Sequence, residues 1–147
     1  MYAELHVHSN FSLLDGASFP EELIEAAARK GMPALALTDH DGLYAAPRFC
    51  RAAREAGIKP IVGAELTVRN GSHLTLLVKN DAGYANLCTL ITRAQLEGMK
   101  GEPKLDPFLL ERHHAGLICL SGCARGEIPS LVRQGRYDDA ARDAVMR

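Results

Sequence analysis

The 147 residues are enough for one domain with one ordinary core. Apolar residues make up 47% and charged residues 24%, with a formal net charge of −1, which describes a globular chain and excludes a disordered one. No run of about 18 apolar residues is available to span a membrane, the N-terminus (Met1-Tyr2-Ala3-Glu4-Leu5-His6) lacks a basic start and a signal core, and no basic stripe marks a surface that would grip nucleic acid by its backbone. The expectation is a cytoplasmic protein that does not by itself hold DNA tightly. Its cysteines (Cys50, Cys88, Cys119 and Cys123) contain no CxxC pair and should be thiols in a reducing compartment.

Residues 2–8 alternate, with Leu5 and Val7 on one side and Glu4, His6 and His8 on the other, which predicts a strand. After a turn-rich stretch, Ser18 as cap and Glu21 three residues on open a helix with Leu23, Ile24, Ala27 and Ala28 as its buried stripe, closed by Gly31. Residues 34–39 read as a buried strand. A loop then leads to a helix over 47–56, with Pro47 in its first turn. Residues 60–67 form a third strand, and Asn70-Gly71 turns the chain into a fourth over 73–78. Asp81 caps a helix carrying Tyr84, Leu87, Cys88 and Ile91. A link over 98–104 precedes a short helix begun by Asp106-Pro107. Residues 116–121 give a further strand. Two helical segments separated by Gly135 follow, the last running to Arg147 without a stop signal.

Strands alternating with helices predict an α/β fold with parallel strands, and an open doubly wound sheet and a barrel both fit that pattern. No GxGxxG follows the first strand, which counts against a dinucleotide-binding sheet. Polar residues gather where strands end, the face that carries the active site in α/β barrels. A complete barrel takes about 250 residues, so the expectation is a chain cut inside a domain.

His6-Val7-His8 puts two imidazoles on one face of a strand, able to meet one metal ion, although the same spacing also occurs as a surface pair on an edge strand. Thr38-Asp39-His40-Asp41 brings a carboxylate and an imidazole to another strand end; alone it also fits a polar turn. Glu65 lies in an apolar strand, where a lone buried carboxylate is costly unless paired or metal-bound. Cys123 follows a strand and a glycine, whereas Cys119 reads as a core thiol, Cys50 and Cys88 as packing residues, and His113-His114 as a solvated pair. His73 begins its strand and is the weakest candidate by position. Together His6, His8, Asp15, His40, Glu65 and Cys123 offer nitrogen, oxygen and thiolate donors suited to zinc, and without the thiolate to manganese or iron. Such a cluster points to hydrolysis of a phosphate ester.

The ordered set His6-x-His8, Asp15-Gly16, Thr38-Asp39-His40 and Glu65 resembles the PHP (polymerase and histidinol phosphatase) family. The phrases over 4–12, 33–44, 57–66, 73–77, 83–88 and 116–123 are similar to the start of bacterial C-family DNA polymerase III alpha subunits. The short gap from Glu65 to His73 and the phrase over 100–105 resemble the error-prone branch often called ImuC. The resemblance implies the N-terminal part of a distorted PHP-type (β/α)7 barrel, with residues 1–147 a PHP domain incomplete at its C-terminus. It implies a divalent metal site, zinc or manganese, of up to three ions in the complete domain. His6, His8 and Glu65 would hold one ion; Glu65, His73 and Cys123 a second; Asp15 and His40 the third. The family's closing Asp-x-His has no counterpart here. The parent protein would be a DNA-directed DNA polymerase of replication or translesion repair, meeting DNA through a polymerase region outside this chain. Other replication or mutagenesis proteins would be partners, and no membrane. A free-standing PHP phosphatase and a catalytically silent module that braces a polymerase are the alternatives.

Overall fold

The computed structural model describes residues 2–146. Its sheet has four strands in spatial order β1 (Ala34–Leu37), β2 (Lys59–Thr67), β3 (His73–Val78) and β4 (Leu117–Leu120). β1 and β2 are parallel, joined through α2 (Ala46–Glu55). The next two pairings are antiparallel, so the sheet is mixed rather than parallel throughout. The reason is local: the Asn70-Gly71 turn leaves too few residues for a crossover, and only a hairpin can follow. Asn70 Oδ1 tightens that turn by accepting from Ser72 N–H at 2.9 Å and Ser72 Oγ at 2.6 Å. The α/β class and part of a PHP-type barrel arrangement are present.

Residues 2–8 do not form a regular strand. They run parallel to β1 through a single bridge, Glu4 to Leu35, and two main-chain bonds, from Ala36 N–H to Glu4 and from Thr38 N–H to Val7, both at 2.9 Å. Leu5 stays 38% exposed, because this segment is the sheet edge and only Val7 reaches the core. β4 is the opposite edge, which leaves Cys119 exposed instead of in the core.

Alternation along the hairpin separates packing from chemistry. Ala64, Leu66, Leu74 and Leu76 pack against Leu87, Leu90 and Ala94 of α3 (Asp81–Glu97). Glu65, His73 and Thr75, one residue out of phase, face the other way. The buried stripe of α3 is Gly83, Leu87, Leu90 and Ala94, and Tyr84 is exposed, so the helix is rotated from the expected face. Its cap is Asn80, whose Oδ1 accepts from Gly83 N–H at 3.0 Å, and Asp81 is the first helical residue.

A second apolar cluster joins α1 (Pro20–Arg29), β1 and α2 through Ile24, Ala27, Leu35, Leu37, Phe49 and Ala53. Here the start is displaced the other way, one residue later than the expected Ser18 cap. Phe19 N–H donates to Glu22 Oε2 at 2.7 Å with Pro20 opening the helix, and Ala28 is exposed. Arg48 crosses from α2 to grip both oxygens of Glu21 at 2.8 Å, with its guanidinium over the rings of Phe11 and Phe19. That contact fastens both ends of the 9–19 loop to the helices.

Residues 98–105 fold back on β2, with Leu105 N–H donating to Thr67 at 2.8 Å and the Leu105 side chain fully buried. A single 3-10 turn (Pro107–Leu109), α4 (Leu110–His113), α5 (Glu127–Arg133) and α6 (Tyr137–Met146) complete the order; Arg147 lies outside the described residues. Phe49 is wholly inaccessible at the centre of the α1–β1–α2 cluster. Phe49→Ala should therefore destabilise the fold by about 3–5 kcal/mol, read as a lower midpoint in urea unfolding.

Candidate metal centre

The pairing of residues 4–8 with β1 sets the first two imidazoles. Val7 N–H donates to Thr38 Oγ1 at 3.1 Å, pointing Val7 inward and leaving His6 and His8 on the opposite side. His6 Nε2 lies 2.6 Å from Glu65 Oε2 and 3.0 Å from His8 Nε2.

The following loop is wound around a buried carboxylate. Asp39 is 3% exposed. It accepts from Ser9 N–H at 2.7 Å, Ser9 Oγ at 2.7 Å and Ser12 Oγ at 2.6 Å. Ser12 Oγ in turn accepts from His40 N–H at 3.1 Å. Three donors compensate a charge that would otherwise be costly to bury. Gly16 is required where the loop closes, because a Cβ there would run into the Ser9 carbonyl. This winding delivers Asp15, whose Oδ2 lies 3.1 Å from His8 Nδ1 and 2.8 Å from His40 Nε2.

Glu65 is the hub. Its carboxylate is 1% exposed and meets His6, His73 Nδ1, Thr75 Oγ1 at 3.3 Å and Cys123 Sγ at 3.6 Å, with His40 Nδ1 also 3.6 Å away. Cys123 Sγ lies 3.7 Å from His73 Nδ1 and accepts from Arg125 N–H at 3.2 Å. All seven candidates (His6, His8, Asp15, His40, Glu65, His73 and Cys123) therefore line one cavity of about 660 Å³. His73, weakest by position, is among them because the hairpin register sets it beside Glu65. Cys50, Cys88 and the His113-His114 pair are not among its lining residues.

Among the described residues, donor atoms fall within 4.8 Å of one another in three sets: His6, His8 and Glu65; His8, Asp15 and His40; His40, Glu65 and His73. Nitrogen and oxygen donors at this spacing fit divalent cations. The first set has the composition the resemblance implied. In the other two, His8 and His40 are shared between sets, and Cys123 stands beside the Glu65–His73 pair.

Burial raises the Glu65 pKa, but hydrogen bonds from His6 and His73 outweigh it and bring the value from 4.5 to about 2. His6 is raised from its ordinary value, first by its bond to Glu65 and against its own burial. His8 is lowered, first by burial and then by the neighbouring His40, which favours the neutral ring that a metal needs. Asp15 is lowered, chiefly by its bond to His40.

Asp41 is not among the candidate donors, and in sequence it closes a phrase that also fits a polar turn. It adopts φ +48 and spans the gap between the His40 loop and β2. Its two carboxylate oxygens accept from Thr67 N–H and Thr67 Oγ1, each at 2.7 Å. Its N–H donates to the Glu65 carbonyl at 2.9 Å, and its own carbonyl accepts from Gln95 Nε2 at 2.9 Å. His40 is thereby held against Glu65 from the backbone side. Burial raises the Asp41 pKa, opposed by the two Thr67 bonds. Asp39 carried one legible signal, its place between Thr38 and His40; for Asp41 no sequence signal stood out, because its partner Thr67 is 26 residues away.

Fold and site together define an α/β barrel-type domain whose pocket gathers side chains suited to divalent metal. The chain belongs to the PHP domain family, which it matches over residues 4–147. It is 51% identical over 158 aligned positions to an error-prone DNA polymerase of Symbiobacterium thermophilum, covering 95% of this chain and 14% of that protein. It is 43% identical to the DNA polymerase III subunit alpha of Treponema pallidum, covering 97% of this chain and 13% of that protein. Among solved structures, it resembles an amidohydrolase from Chromobacterium violaceum with bound sulfate and no metal, at 33% identity and a TM-score of 0.54, over 64% of this chain and 33% of that one. The chain thus spans about one seventh of the polymerases it matches.

Two outcomes follow for metal-free protein. Glu65, depressed below 4.5, contributes stability that is present above that pH and lost as pH falls toward about 2. His6, raised above 6.5, contributes stability that is complete below that pH and lost as pH rises through its folded value. The urea-midpoint difference between wild type and Glu65→Gln should therefore shrink on acidification from pH 4.5 and again on moving well above 6.5. Asp41→Ala should lower stability by about 1–3 kcal/mol, whereas Asp41→Asn, which keeps an acceptor and tolerates positive φ, should retain most of it in the same assay.

Proposed function

We propose that this chain is the PHP domain at the N-terminus of an error-prone bacterial C-family DNA polymerase, and that its pocket binds divalent ions and hydrolyses phosphate esters. The observation that carries the metal-dependent reading is the convergence of seven donor side chains, from segments far apart in sequence, on one cavity around Glu65. The polymerase reading is supported by the extent of the likeness: 95% and 97% of the chain aligns with proteins named as polymerases. By this reading the parent protein synthesises DNA in replication or translesion repair in the cytoplasm. It meets DNA through its polymerase region and works with other replication or mutagenesis proteins.

His6, His8, Asp15, His40, Glu65, His73 and Cys123 would hold zinc or manganese, up to three ions in the whole domain. Such ions polarise a phosphoryl oxygen and lower the pKa of a coordinated water. The chain's own residues prepare for this. Glu65 stays ionised in a buried position because His6 and His73 bond it. His8 favours its neutral form because it is half-buried. Asp39 and Asp41 keep the two strand-end loops in place from behind the pocket. Asp15 stands at the mouth, 60% exposed, where an incoming ester would first meet the site.

His8→Ala and Glu65→Ala should each lower the number of ions found by metal analysis and abolish hydrolysis of bis(p-nitrophenyl) phosphate. An unchanged ion count in both variants would refute the metal assignment. Polymerase motifs in the coding sequence downstream of residue 147 are expected; a stop codon soon after a final Asp-x-His would instead favour a free-standing phosphatase.

A further inference from the structure

Among the described residues, Arg125 is the one Lys or Arg that lines the cavity; it is exposed, and no ion pair engages its guanidinium. Its main chain, by contrast, is held on both sides. The Arg125 N–H donates to Cys123 Sγ at 3.2 Å, and its carbonyl accepts from His73 N–H at 3.1 Å. Around it, Gly126 N–H donates to the Cys123 carbonyl at 2.8 Å, and Gly122 takes φ +83, a conformation that admits this tight turn and that side-chain-bearing residues rarely adopt. The residue is thus rooted on two members of the donor cluster while its charged end is left for something else.

We infer that Arg125 is a substrate-anion clamp: its guanidinium holds a non-bridging phosphoryl oxygen of a phosphate ester bound over the metal cluster. The inference rests on the metal-dependent reading above. Three carboxylates, Glu4, Asp15 and Glu65, also line the cavity and outnumber the single guanidinium, so the metal-free mouth repels anions. Glu4 accepts from Tyr2 Oη at 2.5 Å and forms no ion pair with Arg125. Two divalent ions reverse that balance, and the planar fork of an arginine then matches a phosphoryl group in a way a point charge does not. A cavity of about 660 Å³ is far larger than a bare phosphate and has room for a nucleotide-sized ester. The substrate class is therefore a phosphate ester of roughly nucleotide size, with Arg125 selecting phosphoryl over carboxyl esters.

The test titrates the Mn2+-loaded full chain with inorganic phosphate by calorimetry, alongside Arg125→Ala and Arg125→Lys, with manganese counted in each. Loss of the guanidinium should weaken phosphate binding by roughly tenfold or more, the loss expected for a charge-assisted hydrogen bond. Lysine should fall between, and the manganese count should not change. Equal affinity in Arg125→Ala, or a wild type that loads manganese without binding phosphate, overturns the clamp and leaves the metal reading standing. A lower manganese count in Arg125→Ala also overturns it, since the side chain then serves the cluster and not the anion. A wild type that loads no manganese shows failure of the metal reading before any phosphate is added.

Discussion

A carboxylate at the bottom of a pocket, with almost no access to water, is tolerated only if the groups around it replace the solvent it has lost. Glu65 meets that requirement through His6, His73 and Thr75, and the rest of the site is arranged to keep these partners within reach. His6 comes from the edge segment, His73 and Thr75 from the neighbouring strand of the hairpin. The balance is strongly in favour of the ionised form, since the pKa is brought down to about 2 despite burial. An ionised, acceptor-only group among imidazoles is also what cations require. The contacts that hold the metal-free pocket together are thus made by the atoms that would ligate metal.

Two further carboxylates, buried Asp39 and half-buried Asp41, extend the same logic outward. Asp39 organises the 9–16 loop by drawing in Ser9 and Ser12, and so sets where Asp15 stands. Asp41 ties the next turn to Thr67 on β2 and so sets His40 against Glu65. Neither lines the cavity. Their effect on chemistry runs through backbone placement, which is why consecutive residues in one short phrase take such different roles: Asp39 as anchor, His40 as donor, Asp41 as clip.

The strand alternation explains how one hairpin serves both stability and function. Ala64, Leu66, Leu74 and Leu76 give one face to α3, and the intervening Glu65, His73 and Thr75 give the other face to the pocket. A slip of register by one residue would bury the wrong set. The Asn70-Gly71 turn, with Asn70 accepting from Ser72, is therefore a functional element as much as a connection.

Much of this was legible in the residue order. The short strand runs over 60–67 and 73–78, the glycine and asparagine punctuation, and the His-x-His spacing are local properties, and local sterics alone constrain them. The order of elements and the α/β class followed from them. Helix starts were displaced by one residue, at Phe19 and Asn80, because which neighbour's side chain reaches the first N–H groups depends on the approach of the preceding loop. The face of α3, the exposure of Cys119 and the antiparallel half of the sheet also depended on which elements became neighbours. So did the meeting of His6, His40, His73 and Cys123 around Glu65, and the hidden work of Asp41. Contacts between residues tens of positions apart leave no periodic trace along a chain; only the closure of the fold, driven by apolar burial on the far side of the same strands, brings those groups within bonding distance.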